Sequence, residues 1–232
     1  MKFKRFKFKH LETSITVLAE NEEVFSRVIE AVLDARSQVE KAILECPIFY
    51  TSLEPIEFEL DLPVAKRMCK AAKIAGVGPM AAVAGGIAQY AVESIKESVI
   101  IDNGGDIVMR CKEALIGIFP VNFALKLEFE KERVYSVCTS SGRYGHSISF
   151  GDCDAAVVLA EDGYIADAFA TALGNEIKSH FGKSEIEEAM ENFWKKAKKY
   201  IDGIVVVKDE YIGFVGNVNL VEANYDEKII TM

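Results

Sequence analysis

CTSSGRYGHSISFGDCDAAVVLAEDGYIADAFATAL, residues 138–173, is the stretch whose reading decides the fold. It opens on Thr139-Ser140-Ser141-Gly142, a run of hydroxyls ending in a residue free to take positive φ. Ala155 to Leu159 is an unbroken apolar run of strand length, and the alanine-rich run Ala166 to Leu173 follows it. If that run is a helix, Asp167 and Thr171, four residues apart, project from one face. A carboxylate among Ala, Phe and Leu is costly to bury unless something pairs with it. A hard cation suits a carboxylate and a hydroxyl together. The stretch therefore reads as a phosphate or metal site on a strand-to-helix unit.

Toward the N-terminus, Lys/Arg alternate with Phe over residues 2–9, and Thr13 to Leu18 alternates around Ile15 and Val17. The period of two predicts paired strands with a turn at Leu11-Glu12, the basic side being a solvated strand face. Val24, Val28, Val32, Val39 and their neighbours recur at helical spacing from Asn21, an N-cap, to Leu44, with Pro47 as a stop. Residues 47–63 read as a connector, and Pro63 to Ala75 as a helix ended by Gly76. Gly78-Pro79-Met80 then leads into a second helix containing Gly85 and Gly86. Two adjacent glycines inside a helix cost roughly 1 kcal/mol each relative to alanine. Close approach of a backbone or a ligand is the usual compensation, and a helix N-terminus after glycines also suits an anion. Asn103-Gly104-Gly105-Asp106 lies between two apolar runs, a hairpin signal without the spacing of an EF-hand calcium loop.

Beyond the hairpin, Leu115 to Phe119, Ala124 to Phe129 and Val134 to Val137 are expected as strands. Ser184-Glu185-Ile186-Glu187 is expected to cap a helix ending near Tyr200, and Ile204 to Lys208 with Tyr211 to Val221 to form a closing hairpin. No linker or low-complexity segment interrupts the chain. The order of elements suggests one α+β domain, residues 1–232, made of two similar halves, approximately 1–110 and 111–232.

The composition narrows the function. A net charge of −9 argues against nucleic acid as the main partner. Five scattered cysteines without C-x-x-C spacing favour reduced thiols in a cytoplasmic protein over disulfides or structural zinc. No apolar run reaches the length of a membrane span, and the basic N-terminus lacks the apolar segment of a signal peptide. A soluble, cytoplasmic protein with no membrane or nucleic-acid partner is expected, and the edge strand at the N-terminus permits a homo-oligomer. Of the three histidines, at 10, 146 and 180, only His146 lies in the loop rich in glycine and hydroxyls. It is the candidate catalytic acid–base group, with a loop-bracing hydrogen bond as the alternative. No G-x-S-x-G elbow is present, and no cysteine stands beside a histidine in a way that suggests a nucleophile.

The segment AGGIAQYAVESIKESVIIDNGGDIVM (84–109), the loop Thr139 to Gly142 and the octet ADAFATAL (166–173) resemble, in order, the GGIAKGYA…NxGGD, TSG and ADALATAL motifs of the ApbE-like flavin transferases, the FAD:protein FMN transferases. The likeness is closer to an uncharacterised prokaryotic branch with GVGPMAAVAG, NGGDI, CTSSG with GHS and FG, and ADA-ATA-GN. The resemblance implies a duplicated T-fold, two β-β-α-α-β-β halves with antiparallel sheets packed against helices. It implies Mg2+, or another divalent cation, held by Asp167, Thr171 and a backbone carbonyl near Gly86. It also implies a phosphorylated or flavin-like ligand such as FAD against Gly78, Met80, Gly85, Asn103, Gly104, Gly105, Asp106, Thr139, Ser140, Ser141 and Gly142. Transfer of FMN to a protein threonine is the family's reaction, and binding of a purine, pterin or flavin without turnover is the alternative. Two segments differ from the family pattern: Ala88-Gln89-Tyr90 stands where it has AKGYA, and the Asp-Pro-Arg-Thr of its HIIDPRTG segment is missing after the TSSG loop.

Overall fold

The computed structural model describes residues 3–144, 150–223 and 230–231. Strand β1 (Lys4–His10) and β2 (Thr13–Ala19) form the expected N-terminal hairpin, turning at Leu11 with a φ of 51°. Helices α1 (Glu22–Glu45), α2 (Ile48–Thr51), α3 (Pro63–Ala75) and α4 (Val83–Ser94) follow, with a 3-10 turn at Pro79–Ala82 before α4. Strands β3 (Val99–Asn103) and β4 (Asp106–Ile118) complete the first β-β-helices-β-β unit. The second has β5 (Phe123–Ser140), β6 (Ala155–Ala160), α5 (Gly163–Glu176), α6 (Lys183–Ala197), β7 (Gly203–Lys208) and β8 (Tyr211–Gly216). Two short strands, β9 (Leu220–Glu222) and β10 (Ile230–Thr231), lie on β5 and β4.

Strands β1 to β8 lie side by side in sequence order, each antiparallel to the next, so the halves share one sheet joined at β4–β5. The duplicated α+β architecture expected from the sequence is the one observed. The helices cover one face. Phe6 stacks on Phe25 of α1 at 4.8 Å, and Val24, Val28, Val32 and Val39 of α1 are buried with Val64, Met68 and Ala72 of α3. On the other face, Ile107, Val137, Val157 and Val205 are buried in one cluster with Ile116, Ile118 and Leu125 from the far end of the β4–β5 hairpin. The hairpin reaches them past an irregularity between Cys111 and Glu113.

Local signals act as read. The Asn21 side chain accepts from the Val24 N–H at 3.0 Å, Pro63 opens α3, and Gly76 ends it at φ 76°. Gly104 and Gly105, at φ 72° and 104°, make the two-residue turn between Asn103 and Asp106.

Three expectations are corrected. The strands expected at 124–129 and 134–137 are one strand, because the charged residues 130–133 ride exposed or half-buried along the long hairpin rather than interrupting it. The α6 helix begins before Ser184: Gly182 is the cap residue, and its N–H donates to Glu185 Oε2 at 3.1 Å. Ser184 is therefore already helical. The closing hairpin ends at Gly216 (φ 93°), after which β9 crosses to β5 instead of extending β8. No single helix among the described residues is long and apolar enough to cross a membrane.

Candidate functional site

The two halves meet where α4 crosses α5, and the glycines explain how closely. A Cβ on Gly85 would lie 2.3 Å from the Gly163 carbonyl oxygen, and one on Gly86 would lie 2.6 Å from the Tyr164 ring. Backbone-to-backbone approach is what offsets the helical cost of the double glycine. Gln89 is buried in this crossing. Its Oε1 accepts from the Gly163 N–H at 2.9 Å and its Nε2 donates to Glu93 at 2.8 Å. Arg67 of α3 adds two hydrogen bonds to Glu93 and one to Asp162, with its guanidinium 4.2 Å above the Tyr164 ring.

Asp167 comes from α5 to the N-terminus of α4. That helix starts after Ala82 with no side-chain cap of its own. Asp167 Oδ2 accepts from the Gly85 N–H at 2.8 Å, taking the place of the missing cap. Asp106, at the end of the Asn103–Asp106 turn, faces the same space, and its Oδ1 accepts from the Thr139 N–H at 3.3 Å. Both carboxyls are buried. Burial is the main force pushing the Asp167 carboxyl up, to about 7, against the backbone N–H groups of Gly85 and Ala84, which favour the charged form. Burial and then the Asp167 charge push Asp106 well above the usual carboxylate range.

These groups line a cavity of about 550 Å3 between the halves. Its polar floor is Asp106, Thr139, Ser140, Asp167, Thr171 and Asn175, and its walls include Gly78, Met80, Val83, Ala84 and residues 50–53. Gly78 is required because a Cβ there would stand 1.9 Å from the Ser52 carbonyl oxygen. Tyr50 and Phe150 flank the mouth, 60% and 59% exposed.

The structure thus brings together Gly78, Met80, Asp106, Thr139, Ser140, Asp167 and Thr171. Gly85 supplies the N–H under Asp167, and Asn103 ties β3 to α4 by donating to the Ala84 carbonyl at 3.1 Å. Gly104 and Gly105 lie in the hairpin turn, and Gly86 lies against Tyr164 rather than on the cavity wall. Ser141 braces its loop: its Oγ accepts from the N–H groups of Arg143 and Tyr144 and donates to the Cys153 carbonyl. Gly142 packs on Gly151, 2.2 Å from its oxygen to a Cβ. His146 lies outside the described residues. The sequence reading missed the wall at Tyr50 to Leu53, which it took for a connector, and Asn175, whose Oδ1 accepts from the Phe150 N–H at 2.9 Å. Pairing of Asn175 with the preceding glycine in the octet's GN extension was the only local hint.

A profile of the family described as AbpE bacteria matches residues 1–212. The chain belongs to this AbpE family. A UPF0280 protein of Archaeoglobus fulgidus is 49% identical over 98% of this chain and 99% of its own length. A UPF0280 protein of Methanocaldococcus jannaschii is 40% identical over 89% and 88%. Among solved structures, the ApbE protein of Thermotoga maritima aligns at TM-score 0.53 and 11% identity, over 91% of this chain and 96% of its own. The Pseudomonas stutzeri flavinyl transferase ApbE, in its apo form, aligns at 0.50 and 12%, over 93% and 94%. At such identities the likeness is one of fold: this AbpE chain has the ApbE architecture.

The AbpE cavity has the donor chemistry of a hard cation. Asp106, Asp167 and Thr171 bring two carboxyls and a hydroxyl, all oxygen groups, to its lining. No group of three or more His, Cys, Asp or Glu is gathered among the described residues.

Proposed function

We propose that the protein binds a divalent cation, Mg2+ or a similar ion, and a phosphorylated ligand of the FAD type in the cavity between its halves, and acts as a flavin- or phosphoryl-transferase in the cytoplasm. One observation carries the reading: Asp106 and Asp167 are both buried and face one cavity together with Thr171. Two buried carboxylates repel each other, and a cation between them would reverse that cost. Asp167 and Thr171 would hold the ion with Asp106, and a backbone carbonyl at the start of α4 would complete the protein side. When bound, the ion supplies electrostatic stabilisation of a phosphoryl group. The chain's own residues would do the rest. The N–H groups at the start of α4 orient Asp167, Thr139 and Ser140 offer hydroxyls to phosphate oxygens, and Tyr50 and Phe150 screen the mouth from water. Five free cysteines agree with a reducing compartment.

The test is calorimetric titration of Mg2+ and then FAD, with AMP release followed separately in the presence of a threonine-containing acceptor protein, the FMN phosphoryl group passing to the threonine hydroxyl as AMP leaves, or to water in its absence. Magnesium-dependent FAD binding with AMP release is the expected result. FAD binding without AMP would leave a binding protein or sensor, and no binding of either would end the reading.

The pH dependence has a defined sign. Asp167 rises from 3.8 to about 7 on folding, so its contribution to the stability of the metal-free protein is fully present below 3.8 and lost as the pH climbs through about 7. The cation needs the deprotonated form. Its affinity should therefore fall about tenfold per pH unit below about 7, measured by titration across that range. An affinity flat between about pH 5.5 and 7.5 would remove Asp167 from the ligand set.

A further inference from the structure

Helix α5 carries Asp167, Thr171 and Asn175 four residues apart, and all three line the cavity. At about 1.5 Å per residue the stripe is roughly 12 Å long, so its two ends meet different parts of one ligand. The Asp167 end, with Asp106, is acidic. The Asn175 end is a neutral amide hydrogen-bonded to the backbone of Phe150, whose ring lines the same cavity.

Two dipeptides interlock to hold that amide. Phe150-Gly151 lies on Gly174-Asn175: a Cβ on Gly151 would overlap the Gly174 carbonyl, and the Phe150 N–H donates to Asn175 Oδ1 at 2.9 Å. The next residue extends the contact, the Asp152 N–H donating to the Ile177 carbonyl at 2.7 Å. Because a backbone donor takes Oδ1, the amide cannot turn over without losing that bond. The group left for a ligand is Nδ2, which has no partner among the described residues and can only donate. The Ser140 hydroxyl, 6% exposed and 3.5 Å from where a Gly174 Cβ would stand, also has no partner among the described residues. A buried hydroxyl left open on a cavity wall marks where the polar atoms of a ligand go.

We propose that Asn175 determines specificity in this cavity, selecting a flat heterocycle that turns a carbonyl oxygen to Nδ2 and rejecting one that turns an amino group there. An amino group would set donor against donor and leave both unpaired. With Oδ1 committed to the backbone, asparagine also loses the donor–acceptor pair with which it grips adenine. Resting on the reading of this cavity as a ligand site, the assignment decides between the two rings of an FAD-type ligand. The isoalloxazine, with carbonyls on its pyrimidine edge, takes the Asn175 end and stacks on Phe150, and the adenine stays outside.

The experiment titrates the full chain with riboflavin, inosine and adenosine by calorimetry, with a chelator present. None of the three carries phosphate, and inosine presents a carbonyl where adenosine presents an amine. Asn175→Asp keeps an oxygen for the Phe150 N–H and replaces the donor with an acceptor. The wild type should bind riboflavin and inosine at least about tenfold tighter than adenosine, and in Asn175→Asp adenosine should equal or overtake inosine. Circular dichroism and melting curves check that the variant is folded. A purely structural role for Asn175 would weaken all three ligands together and leave the ratio unchanged. An unchanged inosine-to-adenosine ratio in the variant overturns the proposal. So does a wild type that prefers adenosine, or one that binds neither riboflavin nor inosine. Each of these results leaves magnesium-dependent FAD binding to its own titration, and a failure to bind Mg2+ leaves the ratio to be read.

Discussion

Asp167→Asn is expected to weaken divalent-cation binding at least about 100-fold while leaving the protein folded, the loss corresponding to the roughly 3–5 kcal/mol of a broken buried charge pair. Asparagine keeps an oxygen that can accept from the Gly85 N–H at the start of α4, so the helix remains capped. What it removes is the charge. Because burial raises the carboxyl to about 7, the wild type carries a desolvated anion above that pH, and the metal-free variant should melt no lower than the wild type at pH 8. Alanine is the harsher change. It removes the cap as well as the charge and should lower the melting temperature in addition to abolishing binding. Calorimetry and melting curves separate the two effects. Unchanged cation affinity in Asp167→Asn would show that Asp167 serves only as a cap.

Gly85→Ala should be a strongly damaging small substitution at the α4–α5 crossing. The added Cβ meets backbone, the Gly163 carbonyl oxygen at 2.3 Å, and the Asp167 Cβ at 2.7 Å. Neither neighbour is a flexible side-chain end, so α4 and α5 must separate. Overpacking of this kind costs about 3 kcal/mol, or about 10 °C in melting temperature for a chain of this size. The movement would also shift Asp167 relative to Asp106, so cation binding should fall together with stability. Gly104→Ala is the comparison. It lies at φ 72° with nothing within 4 Å of its Cβ, and backbone strain alone should cost about 1 kcal/mol without affecting the site. Equal melting temperatures for Gly85→Ala and the wild type would mean that the crossing is looser than these distances state.

The glycines also separate what could be read early from what could not. Gly76, Gly104 and Gly105 were legible because a helix stop and a two-residue hairpin turn are local requirements, satisfied within four residues. Gly85 and Gly86 were legible only as an anomaly. The sequence showed a cost without its compensation, since Gly163 and Tyr164 lie far along the chain. Gln89 shows the same limit. In the sequence it lay in a segment that departs from the family pattern, and in the structure it is a buried amide holding the start of α5.

The sequence alone determined the N-terminal hairpin, the bounds of α1 and α3 with their cap and stop, the Asn103–Asp106 turn, and the shared face of Asp167 and Thr171. These follow from periods of 2 and 3.6 residues and from turn chemistry, which depend on near neighbours. Only the tertiary structure decided that Asp106 faces Asp167, that residues 50–53 close a cavity, and that Asp167 caps a helix of the other half. A periodic pattern says which face of an element is buried. It does not say against what, because that depends on how closely two backbones can approach, and here the glycines at the α4–α5 crossing set that distance.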